Sequence, residues 1–161
     1  PLGYIPAAVL AHIVNVGVYG GSRPGMGLAD AVKEALETVQ ELFPESGFMP
    51  KLAALLDRAV ELAGNEKEDI ENISELGGGW VAEETLAIAV YCSNRYCDDF
   101  SKGVNVAVNH SGDSDSTGAD IGNILGAWLG LEGIGEKWLR DLELRELILE
   151  MADHLCLGCG C

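Results

Sequence analysis

Leu28-Ala29-Asp30-Ala31-Val32-Lys33-Glu34-Ala35-Leu36-Glu37-Thr38-Val39-Gln40-Glu41-Leu42-Phe43 is the stretch that decides the fold. Leu28, Ala31, Val32, Ala35, Leu36, Val39, Leu42 and Phe43 recur at i, i+3, i+4 and i+7, the spacing of one face of an α-helix. Pro44 then stops the run. A second stripe follows in Leu52, Leu55, Leu56, Ala59, Leu62 and Ala63, ended by Gly64-Asn65. Leu144, Leu147, Ile148, Met151 and Leu155 form a third. All three are expected to be core faces. Tyr4 to Val18 is nearly all apolar with Pro6 near its start, which fits a helix buried on most sides with proline in its first turn. Val81 to Cys92 reads the same way, and Asp98 to Val108 is a shorter helix. No run shows the turn-bounded alternation of a strand. The expected architecture is an all-α, compact multi-helix bundle.

With 161 residues, of which 48% are apolar, the chain suits one domain with a sizeable core. No apolar stretch reaches the roughly 20 residues that span a bilayer, and no signal peptide is visible. Ten Lys+Arg against 26 Asp+Glu leave a net charge of -16, which argues against nucleic acid as a partner. An acidic protein still binds anions where metal ions invert the local field. Elsewhere the acid excess is what solvated helix faces carry. The cysteines, Cys92, Cys97, Cys156, Cys159 and Cys161, are odd in number. A reduced, cytoplasmic setting suits them better than a disulfide framework. The tail Cys156-Leu157-Gly158-Cys159-Gly160-Cys161 has no second Cys or His pair to complete a soft-metal site, so it reads as a reduced terminus.

Chemistry concentrates in Asn109-His110-Ser111-Gly112-Asp113-Ser114-Asp115-Ser116-Thr117. Two carboxylates and three hydroxyls stand in the five positions after Gly112, the oxygen donors that Mg²⁺, Mn²⁺ and Ca²⁺ prefer. The closing Glu of an EF-hand is missing. The bland alternative is an Asp/Ser-rich turn that only caps a helix. Thr117-Gly118-Ala119-Asp120 has the capping-box pattern ahead of Ile121 to Leu131, and the helix dipole there would favour an anion. Glycine is abundant, 21 of 161 residues, about twice its usual share of about 7%. Gly20-Gly21 and Gly25-Gly27 mark one loop and Gly77-Gly78-Gly79 another. Gly118, Gly122, Gly126 and Gly130 recur every four residues, and each costs a helix about 1 kcal/mol relative to alanine. The ridge they form is expected to let a neighbouring helix approach closely, which would make this the central helix.

The segment Asn109 to Gly118, followed by Gly122-Asn123-Ile124-Leu125-Gly126-Ala127 and Leu129-Gly130, resembles the ADP-ribosylglycohydrolase family. Pro1-Leu2-Gly3-Tyr4-Ile5-Pro6-Ala7 is similar to a segment that follows a histidine-containing loop in that family, and Gly77-Gly78-Gly79-Trp80-Val81-Ala82-Glu83-Glu84 to its second glycine loop. The resemblance implies an all-α fold and hydrolysis of the bond between ADP-ribose and a modified side chain or small acceptor, through a transition state of oxocarbenium character. It implies two Mg²⁺ or Mn²⁺ ions, with Asp113, Asp115 and Ser116 as ligands. It also implies Gly79, Trp80, Glu84, Ser111 and Gly112 at the substrate, which would be an ADP-ribosylated protein or a small ADP-ribose conjugate. The family's Thr-Asp-Asp motif and upstream catalytic acid have no match here, so no catalytic residue is assigned. With Pro1 in place of Met, residues 1–161 are expected to be the C-terminal portion of a single larger domain, completed by a missing N-terminal part. The alternative is a catalytically incomplete relative that binds metal or ADP-ribose, or serves structurally. Asp120 stands where the family pattern has an apolar residue.

Among other candidates, His110 is expected to brace the loop rather than bind metal, because hard ions favour oxygen. His12 reads as a core histidine, and His154 is assigned nothing. Glu84 sits in the first turn of its helix, where its charge is favourable. Trp80 either stacks on an adenine or packs, and Trp128 and Trp138 read as packing.

Overall fold

The computed structural model describes residues 2–19 and 25–158. Gly20-Gly21, Cys159 and Cys161 lie outside the described residues. The elements are α1 (Tyr4–Tyr19), α2 (Leu28–Leu42), α3 (Met49–Ala63), α4 (Asp69–Leu76), α5 (Ala82–Arg95), α6 (Phe100–Val108), α7 (Ser114–Gly133), α8 (Glu136–Leu139) and α9 (Arg145–Gly158). No strand occurs among the described residues. No helix among them is long and apolar enough to cross a membrane.

Helix α5 is the axis of the bundle. Leu86 through Cys92 are each at most 1% exposed, because α5 is packed by α3, α6 and α7, with α1, α2 and α4 closing the gaps. The first stripe behaves as its period dictates as far as Val39: Leu28, Ala31, Val32, Ala35, Leu36 and Val39 are buried, whereas Leu42, at the end of the helix, is exposed. Leu52, Leu56, Ala59 and Leu62 on α3 are buried as well. A fully buried Leu contributes about 1.5–3 kcal/mol, so these two helices anchor one side of the core. Helix α1 is less enclosed than its composition suggests. It buries a single stripe, Ile5, Pro6, Val9, Ile13 and Val16, while Tyr4, Val18 and Tyr19 are exposed.

The third stripe departs from expectation. Leu144, Leu147, Ile148, Met151 and Leu155 on and before α9 are all exposed. The amphipathic period is present, but among the described residues no other helix packs broadly on that face.

A polar cluster pins the short helix α4 to α5. Asp69 Oδ1 accepts from the Tyr91 hydroxyl at 2.6 Å and Oδ2 from the Tyr96 hydroxyl at 2.8 Å. Arg95 Nε lies 3.1 Å from Asp69, and the same guanidinium donates to the carbonyls of Ala63, Asn65 and Lys67. Asn72 donates to the Tyr91 hydroxyl and exchanges hydrogen bonds with Asn65. Burial, then the bond to Asp69, pushes the Tyr91 phenol up. Burial also pushes up the Cys92 thiol, which makes it a packing residue rather than a nucleophile.

Candidate functional site

Helix α6 ends at Val108, with Asn109 as its C-cap, and α7 begins at Ser114. Asp113, not Thr117, is the N-cap of α7. The capping-box reading therefore fails by a full turn: Thr117 is already inside the helix and completely buried. The reason is a local hydrogen-bond chain that starts the helix earlier. Gly112 N–H donates to His110 Nδ1 at 3.1 Å, and His110 Nε2 lies 3.2 Å from Thr117 Oγ1. Thr117 Oγ1 donates in turn to the Ala107 carbonyl at 2.7 Å. With Nδ1 accepting, the imidazole proton sits on Nε2 and points at Thr117. Both ring nitrogens are used within the loop, so His110 braces it, as its sequence position suggested.

The glycine loop before α5 is locked onto this turn. Gly77 has φ 124 and Gly79 φ 74, conformations that favour glycine. Gly78 N–H donates to Glu84 Oε2 at 3.1 Å, and the Thr85 hydroxyl donates to the Gly79 carbonyl at 2.9 Å. Gly78's own carbonyl accepts from Asp113 N–H at 2.8 Å. Gly112 passes so close that a Cβ there would overlap the Gly78 carbonyl.

These two loops and α1 enclose a cleft of about 330 Å³. Pro6, Ala7 and Leu10 of α1 form one wall, and Gly79, Trp80, Thr85 and Leu86 the other. Asp113, Ser116 and Asp120 of α7 carry the polar groups. Of the residues singled out from sequence, Gly79, Trp80, Asp113 and Ser116 line the cleft. Gly112 and Glu84 lie behind it and hold the loop, and Ser111 is exposed without lining it. Asp115 is exposed outside the lining, but its carboxyl adjoins that of Asp113. That contact, then the Ser116 hydroxyl donating at 2.9 Å, holds the Asp113 carboxyl below the ordinary carboxylate range. Two adjoining carboxylates and a hydroxyl form a hard-oxygen donor set that fits a divalent cation. No three His, Cys, Asp or Glu side chains converge as a metal cage among the described residues.

Two expectations about α7 need correction. The glycine ridge does not mark one close helix contact. A Cβ at Gly118 would come within 2.9 Å of Val108, but Gly122 and Gly130 face open space and Gly126 nearly so. Gly130, at φ 68, breaks the helix instead. The tight crossing belongs to Gly17 of α1, where a Cβ would stand 3.0 Å from that of Ala127. A four-residue glycine period tells which face is bare, not whether a neighbour occupies it. Asp120, read as part of a cap, is instead half-buried in the cleft, where desolvation pushes its carboxyl up to about 6. Its departure from the apolar pattern was the only signal in the sequence for that position.

A family model described as ADP-ribosylglycohydrolase matches residues 1–160. The chain is similar to ADP-ribosylhydrolase ARH3 of Mus musculus, 29% identical over 127 residues that cover 73% of this chain and 33% of that protein. The Homo sapiens ARH3 is 28% identical over the same shares. ADP-ribosylarginine hydrolase Tri1 of Serratia proteamaculans (strain 568) is 29% identical over 111 residues, 69% of this chain and 30% of that protein. The chain thus spans about a third of the length of these relatives. No solved structure matches it.

Proposed function

The chain belongs to the ADP-ribosylglycohydrolase family, and from that membership we propose that it contributes the C-terminal half of a metal-dependent site that hydrolyses the bond between ADP-ribose and a modified acceptor. The observation that carries this is the donor set at the head of α7: Asp113 and Asp115 side by side, with Ser116 bonded to Asp113, beside a cleft large enough for part of a nucleotide sugar. Asp113, Asp115 and Ser116 would hold Mg²⁺ or Mn²⁺, two ions in the complete site. Bound there, such ions polarise substrate oxygens and activate water.

The chain's own residues do the rest by position. The locked loops fix Asp113 before any ligand arrives, which spares the ordering cost of assembling the site on binding. Trp80, 72% exposed at the mouth, offers a flat face on which an adenine stacks. The apolar wall of Pro6, Leu10 and Leu86 limits water. Substrates in this reading are ADP-ribosylated proteins or small ADP-ribose conjugates, in a cytoplasmic setting that suits free Cys92, Cys97 and Cys156.

The test is release of ADP-ribose from modified protein by the full-length enzyme, with and without a chelator. We expect dependence on Mg²⁺ or Mn²⁺, and a loss of at least about a hundredfold in Asp113→Ala and Asp115→Ala. Activity untouched by both substitutions would sink the reading. One observation favours a second reading, in which residues 1–161 bind ADP-ribose or metal without turnover: this chain's donor set contains only two carboxylates. Titration of the chain with ADP-ribose and Mg²⁺ separates the two, since turnover by residues 1–161 alone refutes the second.

A further inference from the structure

Six carboxylates are buried or half-buried among the described residues, and five have partners. Glu34 faces His12, Asp69 takes two tyrosines and Arg95, and Glu83 meets Lys51. Glu84 accepts from the Gly78 backbone, and Asp113 accepts from Ser116. Asp120 has no hydrogen bond or ion pair within the described chain, and burial alone acts on its carboxyl. A half-buried carboxyl without a protein donor, left to the water of the cleft, is less well satisfied than the other five. At this position on α7 an apolar side chain would close the cleft without that deficit.

The surroundings narrow what such a carboxyl can take. The lining of the cleft contains no Lys, Arg or His, and its two charged side chains, Asp113 and Asp120, are both acidic. Asp120 stands one helical turn beyond Ser116 and two beyond Asp113 on the same side of α7, about 6 Å and 10 Å along the axis. Asp120 is therefore within reach of whatever is bonded to a sugar held at Asp113 and Ser116. Once a hydroxyl acceptor is ADP-ribosylated, its linking oxygen has no proton left to donate. A guanidinium acceptor keeps both its charge and several N–H donors, in a planar fork that matches a carboxylate.

Resting on the activity proposed above, we propose that Asp120 is a specificity-determining residue. Its carboxylate receives a cationic, N–H-donating acceptor group, so that conjugates through a basic nitrogen are preferred to those through a neutral oxygen.

The experiment measures kcat/KM for ADP-ribose release by the full-length protein from two peptides, one ADP-ribosylated on arginine and one on serine. Wild type, Asp120→Asn and Asp120→Glu are compared. We expect wild type to favour the arginine-linked peptide and Asp120→Asn to lower the arginine-to-serine ratio about tenfold. Asp120→Glu, which keeps the charge, should restore the ratio to within about threefold of wild type. A ratio unchanged in Asp120→Asn, because both substrates fall together as recognition of a sugar hydroxyl would require, overturns the proposal. So does a wild-type preference for the serine-linked peptide. Failure of wild type on both peptides counts against the activity itself. A second arm then decides Asp120 separately, by calorimetric titration of agmatine into residues 1–161. Binding by wild type that weakens at least about fivefold in Asp120→Asn supports the proposal. No binding by wild type, or equal binding by both, overturns it.

Discussion

Asp113 N–H donates to the Gly78 carbonyl at 2.8 Å, and this bond makes one rigid unit of two loops separated by more than thirty residues of chain. Gly112 lies where that carbonyl crosses the turn, with no room for a side chain. Gly112→Ala must therefore push the loops apart and break the bond. We expect a stability loss of about 1–3 kcal/mol and at least a tenfold fall in activity, since displacing a positioned group by about 1 Å costs about a hundredfold. Urea unfolding and steady-state kinetics on the same preparation check both. Wild-type values in each would show that the two loops are not coupled.

The turn itself rests on His110. Replacing it by phenylalanine keeps the ring volume but leaves the Gly112 N–H without its acceptor and removes the contact to Thr117. Each unmet polar group costs about 1–3 kcal/mol when buried, and less here because the site is only partly buried. His110→Phe should thus destabilise by about 1–2 kcal/mol and weaken Mn²⁺ binding, read by titration calorimetry. His110→Asn retains part of the hydrogen bonding and should fall between. Mn²⁺ affinity equal in His110→Phe and wild type would confine His110 to a packing role.

What was legible in the sequence follows from which interactions are local. The stripe from Leu28 to Val39 is a helix wherever it packs, so its period sufficed. The oxygen-rich run from Asp113 to Ser116 declares its donors because they are adjacent in sequence. The union of Gly78 with Asp113 was not legible, since no spacing rule links positions so far apart and the family resemblance put the glycine loop near the substrate without joining it to the turn. The stripe from Leu144 to Leu155 was misread because amphipathicity shows which side of a helix is apolar and not what covers it. The ridge from Gly118 to Gly130 failed for the same reason. The cluster around Asp69 went unseen because Asp, Tyr and Arg carry no periodic signature.

That cluster sets a stability prediction away from the cleft. Asp69 accepts from Tyr91 and Tyr96 and faces Arg95, with its side chain 24% exposed. Asp69→Ala leaves a partly buried guanidinium without its counter-charge and two hydroxyls without their acceptor. We expect a loss of about 2–4 kcal/mol, with kcat/KM of the surviving folded protein near wild type. Tyr91→Phe should cost about 1 kcal/mol, and the double variant less than the sum, because both changes remove one shared bond. Strict additivity in thermal or urea unfolding would mean that Asp69 and Tyr91 act independently.

Asp120 gives the pH signature. Burial raises its carboxyl from an ordinary value of 3.8 to about 6. Between those values the native state holds a proton that the unfolded chain has released, so stability falls as pH rises through this window. Below it both states are protonated, and the cost of a buried charge vanishes. Above it the native state carries an unpartnered carboxylate and the full penalty applies. Water on the open side of the cleft screens that penalty, which we place on the order of 1 kcal/mol. Asp120→Asn removes the titration while keeping the shape. In metal-free buffer the variant should match wild type at about pH 3 and exceed it by that amount at about pH 7.5, measured as the difference in urea midpoints. Agmatine at saturating concentration should raise wild type towards the variant at the higher pH, because a bound cation stabilises the native carboxylate by mass action. A variant no more stable than wild type at about pH 7.5 would mean that water already satisfies the Asp120 carboxylate, and the physical reason for assigning it a cationic ligand would be gone.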